Sequence, residues 1–291
     1  MQFNKYATVH DFYKATYNVL IQNEAQNLIP LGNLIIGVKG EDKEGWRDPA
    51  NWFMATVTNA SGLLLTAIMT PPHNVALYAT DNKIDADAMT CLINGLADTL
   101  IPGVLAEKSL AERFAQTYTA ACGKTYEIAM NQRIYELTQV SPNIPQMGKI
   151  RLLEDGDMSF FPYWRSAMFG EAIHHANTME IPTGADNNYH LNGKKIYILE
   201  VDGVAVSMAG FTREMQSVIG VGYVYTPSYY RGRGYASSAV AQVSQIALDR
   251  GFTKCVLYTD LTNPTSNSIY QKIGYHPICD SLQLDFKGVQ Q

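Results

Sequence analysis

The stretch from Val218 to Tyr275 decides the fold of this chain. It begins with the β-forming run VIGVGYVYT (Val218–Thr226) and turns at Pro227. The glycine-rich turn RGRGYA (Arg231–Ala236) follows, and small and apolar residues then recur at helical spacing as far as Asp249. Glycine lets the backbone approach a bound anion, and the free N–H groups at the start of a helix point towards it. This order of strand, glycine turn and helix therefore predicts a phosphate-binding loop.

The second half of the stretch adds a strand-like run, Lys254–Thr259, and the helical segment NPTSNSIYQKIGY, Asn263–Tyr275. Two other interpretations of the glycine turn are disfavoured. An Arg-Gly tract that binds nucleic acid would not be one short copy in an acidic chain. A Rossmann loop would carry a third glycine after Gly232 and Gly234.

The two motifs resemble those of the GNAT superfamily, the acyl-CoA-dependent N-acyltransferases. The family's phosphate loop reads Arg/Gln-x-x-Gly-x-Gly/Ala, which Arg231, Gly234 and Ala236 match, although the loop after Pro227 is one residue longer than usual. The family's second signature combines an Asn, a small residue, an apolar-Tyr pair and a Gly-aromatic pair. The residues that match it are Asn263, Ser266, Ile269, Tyr270, Gly274 and Tyr275. The resemblance covers the C-terminal half and implies an α/β fold with a mixed, mostly antiparallel sheet flanked by helices.

The resemblance also implies acetyl-CoA as the co-substrate and a role for each part of the stretch. The strand end at Val224, Tyr225 and Thr226 would pair its backbone with the pantetheine arm and the thioester carbonyl. The loop that would hold the phosphates, chiefly through backbone amides, comprises Arg231, Gly232, Arg233, Gly234, Tyr235, Ala236 and Ser237. Asn263 is similar to the side chain that contacts the pantetheine arm. Tyr270 is similar to the general acid that protonates the departing thiolate, and the alternative is a ring that only packs at the edge of the core.

The group that takes the proton from the acceptor amine is not on the strand, because Val218–Thr226 contains no carboxylate and no histidine. The candidates are Glu171, His174, His175, Glu214 and a chain of water molecules. Glu171 and His174 also have the spacing of a carboxylate-histidine metal motif. A polar helix face is favoured because no second copy is present, so no metal is expected. The isolated histidines are interpreted as structural or surface residues, and they are His10, His73, His190 and His276.

Composition limits the class of protein. The 291 residues are 46% hydrophobic and 17% charged, which is typical of a globular chain with a sizeable core. A net charge of −5 argues against a nucleic-acid partner. The four cysteines are scattered without a Cys-x-x-Cys pair, and no signal-peptide pattern or bilayer-length apolar run is present. These features predict a cytoplasmic protein without membrane contact.

The chain is predicted to hold two tandem GNAT-like domains, residues 1–140 and 149–291, joined by a proline-rich linker at 141–148. Both halves show the same order of strands and helices, which suggests a duplication, and a generic α/β alternation is the other interpretation. In the first copy TDNKI (Thr80–Ile84) stands where the glycine loop would be. Its second helix, predicted to be capped by Ser109, lacks the Asn and Tyr of the second signature. We therefore expect this copy not to bind CoA phosphates.

The sequence thus predicts an acetyl-CoA-dependent N-acetyltransferase in the C-terminal half, with a small-molecule or peptide amine as its acceptor. The rival hypothesis is an acyl-CoA-binding regulatory module without turnover, which would keep the phosphate loop and need not keep Tyr270. An interaction scaffold would need neither motif. The presence of Tyr270 favours the enzyme.

Overall fold

The computed structural model describes residues 1–40, 47–81, 84–172 and 190–288. The chain folds into two compact units. The first comprises Met1–Arg133 together with Cys279–Gln291, and the second comprises Ile134–Ile278. Each unit has its own buried hydrophobic core.

The first unit is a mixed sheet with helices packed on it. Its elements are β1 (Gln2–Lys5), α1 (Val9–Leu20), α2 (Leu28–Lys39), β2 (Phe53–Asn59), β3 (Gly62–Met69), β4 (Val75–Ala79), α3 (Ala86–Gly95), β5 (Gly103–Glu107), α4 (Lys108–Cys122) and the first part of β6 (Thr125–Leu137). The strand order is β1-β2-β3-β4-β5-β12, where β12 is His276–Lys287, and β4 runs parallel to β5. Alternate residues of β2 and β3, among them Val57 and Ala67, point into a core shared with α3 and α4.

The last strand of the chain completes the sheet of the first unit. The part of β12 from Ser281 to Asp285 pairs antiparallel with β5, and its Leu282 and Leu284 side chains are buried in the core of that unit. The predicted boundary between domains therefore differs from the observed division. Hydrogen bonding to β5 and burial of two leucines draw the C-terminal strand into the first unit.

Residues 141–148, predicted as a linker, pack within the second unit. The Ser141 N–H donates to the carbonyl of Ile273 at 2.7 Å. The Ser238 hydroxyl accepts from the N–H of Met147 at 2.7 Å and donates to its carbonyl at 2.9 Å. These hydrogen bonds satisfy backbone groups that a proline-rich linker would leave to water.

The second unit repeats the order of elements seen in the first. After the end of β6 it contains β7 (Lys149–Leu152), α5 (Phe161–Ala172), β8 (Ile196–Val201), β9 (Val204–Glu214), β10 (Val218–Tyr225), α6 (Tyr235–Asp249), β11 (Lys254–Asp260) and α7 (Pro264–Ile273). The strand order is β6-β11-β10-β9-β8-β7. One cluster of buried residues joins the sheet to α6 and α7, and another joins it to α5.

This architecture confirms the predicted α/β class, with mixed and mostly antiparallel strand pairing flanked by helices. The succession of strand, strand, strand, helix, strand, helix occurs from β2 to α4 and again from β8 to α7. Within the described ranges, no helix is long and apolar enough to cross a membrane.

Candidate functional site

Strand β10 parts from its neighbour β11 partway along its length. The two run parallel and pair from Val218↔Lys254 to Gly220↔Val256, whereas β10 continues to Tyr225. Beyond Gly220, β10 pairs with β9 among the described residues. One backbone edge of the strand is therefore open to an extended ligand, which can pair with it as a strand would.

A β-bulge turns the last residues of β10 towards α5. Over the interval from Gly222 to Tyr225, three steps along β10 correspond to two along β9. Tyr223 has a φ of +53° at this point. Val221 points into the core shared with α6, but Tyr223 and Tyr225 pack in the cluster formed with α5. The bulge thus places two tyrosines on the α5 face, where regular alternation would have turned them away.

The loop after β10 leaves backbone N–H groups at the start of α6 without a hydrogen-bond acceptor among the described residues. Gly232 and Gly234 have φ values of +76° and +82°, in the left-handed region that glycine adopts without strain. Gly234 is the N-cap residue of α6 and offers no side chain to the first turn. None of the described residues accepts a hydrogen bond from the amides of Gly232–Ser237. A row of free N–H groups at the positive end of a helix dipole can bind an anion, and binding of linked phosphates here stays a prediction.

The side chains of this loop contribute less than its backbone. Tyr235 is buried in the core, and Ala236 and Ser237 are half-buried at the start of the helix. Arg233 is exposed, and in the described part of the chain its side chain contacts no charged or hydrogen-bonding partner. It is the loop cation that remains available to a phosphate oxygen.

Arg231, the first residue of the loop motif, is engaged by the strand end. Its Nε donates to the carbonyl oxygen of Thr226 at 2.8 Å, and its guanidinium forms an ion pair with Glu171 of α5. The guanidinium carbon lies 5.7 Å from the centre of the Tyr225 ring. The Arg231 and Glu171 side chains are 47% and 51% exposed, so the ion pair contributes only about 0–1 kcal/mol. We therefore interpret the contact as one that positions the loop.

Side chains of the protein itself already donate hydrogen bonds to backbone carbonyls at the end of β10. The Ser207 hydroxyl donates to the carbonyl of Tyr225 at 3.0 Å and lies 2.8 Å from the Thr226 hydroxyl. The Thr226 carbonyl accepts from Arg231, and the Val224 side chain packs against the core under α6. Pairing of this segment with a pantetheine arm stays a prediction, and we expect it mainly at the open backbone between Val221 and Val224.

Asn263 is the N-cap of α7, where its Oδ1 accepts from the N–H of Ser266 at 3.0 Å. This capping role accounts for an Asn just before Pro264, a residue well suited to the first position of a helix. Its oxygen is thus occupied, and the predicted contact with a pantetheine arm would fall to the Nδ2 group.

Tyr270 lies on α7 with its side chain 9% exposed. Its ring packs edge-on against Tyr275, with the ring centres 6.0 Å apart. Within the described ranges its hydroxyl forms no hydrogen bond, in contrast to the Tyr275 hydroxyl, which lies 2.8 Å from that of Ser244. Burial raises the pKa of Tyr270 to about 12, so the phenol keeps its proton throughout the neutral range. A buried hydroxyl without a partner is unfavourable for folding, which favours a role in binding or chemistry over packing alone.

The predicted proton acceptors fall into three groups. Glu214 pairs with Ile219 near the start of β10, and its carboxylate binds Arg250, so it lies at the opposite end of the strand from the loop. Glu171 lies on the α5 face beside Arg231. His174 and His175 lie outside the described residues.

The structure also places His190 where the sequence did not. His190 is buried, and its ring lies edge-on to those of Tyr223 and Phe161, at centre-to-centre distances of 5.3 and 5.8 Å. It therefore sits over the β10 bulge. The sequence indicated only a structural or surface residue, and nothing local indicated that it would be buried on this face.

In the first unit, N–H groups at the start of the corresponding helix, α3, are already hydrogen-bonded. Asp85 caps α3, and its carboxylate accepts from the N–H groups of Asp87 and Ala88 at 2.8 and 3.1 Å. Among the described residues, β4 likewise pairs with β5 at Val75 and Ala76 alone, so this unit has the parted strands without the free amides. A carboxylate in this place repels phosphate. This charge is a second physical reason, besides the absent glycines, to expect that the first unit does not bind CoA phosphates.

The second unit is thus an α/β domain with an open strand edge that leads to a row of N–H groups at a helix N-terminus, none of which has an acceptor among the described residues. Residues 158–275 match the model of the acetyltransferase (GNAT) family. No curated protein sequence shows significant similarity to the chain.

Solved structures show the same fold along nearly the whole chain. A GNAT-family acetyltransferase from Colwellia psychrerythraea is 12% identical, with a TM-score of 0.60 over 99% of this chain and 100% of that chain. A GCN5-related N-acetyltransferase from Sphaerobacter thermophilus is 16% identical, with a TM-score of 0.65 and coverage of 99% and 96%. A Drosophila protein is 14% identical, with a TM-score of 0.67 and coverage of 98% for both chains. At these identities the likeness concerns the fold.

Proposed function

We propose that the chain is an N-acetyltransferase that transfers the acetyl group of acetyl-CoA to the amine of a small molecule or peptide. The observation that supports this proposal is the row of amides at Gly232–Ser237 that have no acceptor among the described residues, next to a strand whose backbone edge is open. An acyl-CoA combines a pyrophosphate with a long amide-containing arm. These are the two chemical features that such a row and such an edge can bind.

The chemistry then needs a polarised thioester and a proton for the leaving group. The open backbone of β10 would hold the thioester carbonyl beside α7, from which Tyr270 projects. The phenol of Tyr270 retains its proton at neutral pH and has no hydrogen bond in the described structure that would compete for it. It would donate this proton to the thiolate as the C–S bond breaks.

A thiol-release assay tests the proposal. Purified protein is incubated with acetyl-CoA and a panel of amines, polyamines, amino acids and peptides, and free CoA is measured with a thiol reagent. We expect at least one class of amine to increase the rate of thiol release above the hydrolysis of acetyl-CoA alone. Calorimetric binding of acetyl-CoA without amine-dependent release would instead support the rival binding module, and absence of binding would contradict both.

We further expect one acetyl-CoA to bind per chain. The first unit presents the Asp85 carboxylate where the second presents free amides, so only the second should accept a pyrophosphate. Isothermal titration calorimetry would measure the stoichiometry, and Asp85→Asn serves as a control that should leave the number of sites at one. Two sites of comparable affinity would contradict the assignment.

A further inference from the structure

A buried hydroxyl from the sheet of the second unit binds two amide side chains of α7. The phenol of Tyr135, on β6, donates a hydrogen bond to Oδ1 of Asn267 at 3.1 Å and accepts one from Nε2 of Gln271 at 3.2 Å. The Tyr135 side chain is 1% exposed, so water does not compete for these contacts. Because Asn267 and Gln271 are one helical turn apart, this hydroxyl connects two turns of α7 to the sheet.

Asn267 extends this connection to the loop that precedes α7. Its Nδ2 group donates to the carbonyl oxygen of Asp260, at the end of β11, at 2.9 Å and to that of Asn263, the N-cap, at 2.7 Å. Both polar atoms of the side chain are therefore used. Asparagine favours the interior of a helix less than alanine or leucine does, so these contacts, rather than helix propensity, account for the residue at this position.

The hydrogen bonds of Asn267 lie between the two α7 residues that are assigned to the cofactor and to the reaction. Residues three or four apart on a helix share a face, so Asn267 is one turn after Asn263 and one turn before Tyr270. The loop from Asp260 to Asn263 follows β11, the strand whose parting from β10 opens the backbone edge. The Tyr135–Asn267 pair thus fixes α7 against the end of β11.

The hydroxyl of Tyr270 depends on this placement. It forms no hydrogen bond with the described residues, so the position of α7 and the packing of the ring determine where the phenol points. Proton transfer needs the donor and the acceptor within hydrogen-bond reach. A misplacement of about 1 Å can lower the rate of an enzymatic step about 10²-fold.

We propose that Asn267, held by Tyr135, is a positioning residue that places the Tyr270 phenol beside the leaving thiolate. The inference rests on the proposed function, in which Tyr270 is the general acid. Asn267 is not itself catalytic, because its side chain binds only groups of the protein.

Two variants remove the connection from opposite sides. Asn267→Ala deletes the side-chain amide, and Tyr135→Phe deletes only the hydroxyl, so the second variant still tests the inference if the first does not fold. With the best amine of the panel, we expect each variant to lower kcat about tenfold. The Kd of acetyl-CoA should stay within about threefold of the wild-type value, because the distant amides of α6 are assigned to the phosphates.

A double-mutant cycle with Tyr270→Phe separates positioning from general support of the fold. Once the phenol is absent, its placement no longer affects the rate. Adding Asn267→Ala to Tyr270→Phe should therefore change kcat less than about twofold. Equal losses of kcat in the wild-type and Tyr270→Phe backgrounds, or an unchanged kcat in a folded Asn267→Ala or Tyr135→Phe variant, would overturn the inference.

Tyr275→Phe is the matched control for Tyr135→Phe. It also deletes a buried hydroxyl, but one that lies 2.8 Å from Ser244 on α6. Urea unfolding should show similar losses of stability for the two variants, whereas only Tyr135→Phe should lower kcat. A control that lowers kcat as much as Tyr135→Phe would also overturn the inference. Wild-type protein that binds no acetyl-CoA, or binds it without turnover, would instead overturn the proposed function.

Discussion

Gly234→Asp is expected to abolish acetyl-CoA binding. The substitution places a carboxylate at the N-cap of α6, directly beside the first-turn amides. It also sets a negative charge against the pyrophosphate. At about 4 Å and an effective dielectric constant of about 20, each pair of like charges costs about 4 kcal/mol, which corresponds to roughly a 10³-fold loss of affinity. Calorimetry with acetyl-CoA measures the effect.

The matched control for this substitution is Gly203→Asp. Gly203 lies in the turn between β8 and β9 with a φ of +75°, close to the +82° of Gly234. A Cβ atom added at Gly203 would meet no atom within 4 Å. The control therefore reproduces the backbone strain and the added charge away from the loop. If both variants fold and Gly234→Asp retains wild-type affinity, the amides of α6 are not the phosphate site.

The phosphate loop and its helix could be predicted from the sequence because the determining signal is local. Gly232 and Gly234 are required by left-handed backbone positions that side chains resist, and Asn263 is required by a helix cap. Such constraints act over a few residues and remain visible in the sequence.

Features that depend on distant partners could not be predicted. The closure of the first sheet by β12 follows from pairing between Leu284 and Val104, which are far apart in the chain. His190 is buried against the ring of Tyr223 at the β10 bulge, and a bulge changes which face a side chain occupies without a distinct composition. Even a local prediction was wrong where two caps compete. Glu107 caps α4 through the amides of Ser109 and Leu110, so the helix begins two residues before the Ser109 cap would allow.

Tyr270→Phe is expected to slow the chemical step while leaving the affinity for acetyl-CoA nearly unchanged. The phenol is assigned to the thioester end, and the phosphates are held by the distant amides of Gly232–Ser237. General acids typically contribute about 10²–10⁴-fold, and water can partly replace this one, so a loss in kcat of about 10²-fold is expected. Because burial raises the pKa of Tyr270 to about 12, its ionisation should not produce an alkaline limb below about pH 11 in the wild-type protein. Stopped-flow thiol release under single-turnover conditions isolates the step.

The free energy of unfolding distinguishes a catalytic role of the Tyr270 phenol from a role in packing alone. The Tyr270 hydroxyl has no hydrogen-bond partner in the described structure, so its removal should leave the free energy of unfolding unchanged or slightly higher. Tyr275→Phe is the matched control, because it removes a buried hydroxyl that lies 2.8 Å from Ser244 on the neighbouring helix. We expect this control to lose about 1 kcal/mol of stability and to keep its kcat, which is the reverse pattern. A Tyr270→Phe variant that keeps full kcat when chemistry limits the rate would show that Tyr270 only packs, and the leaving thiolate would then take its proton from water.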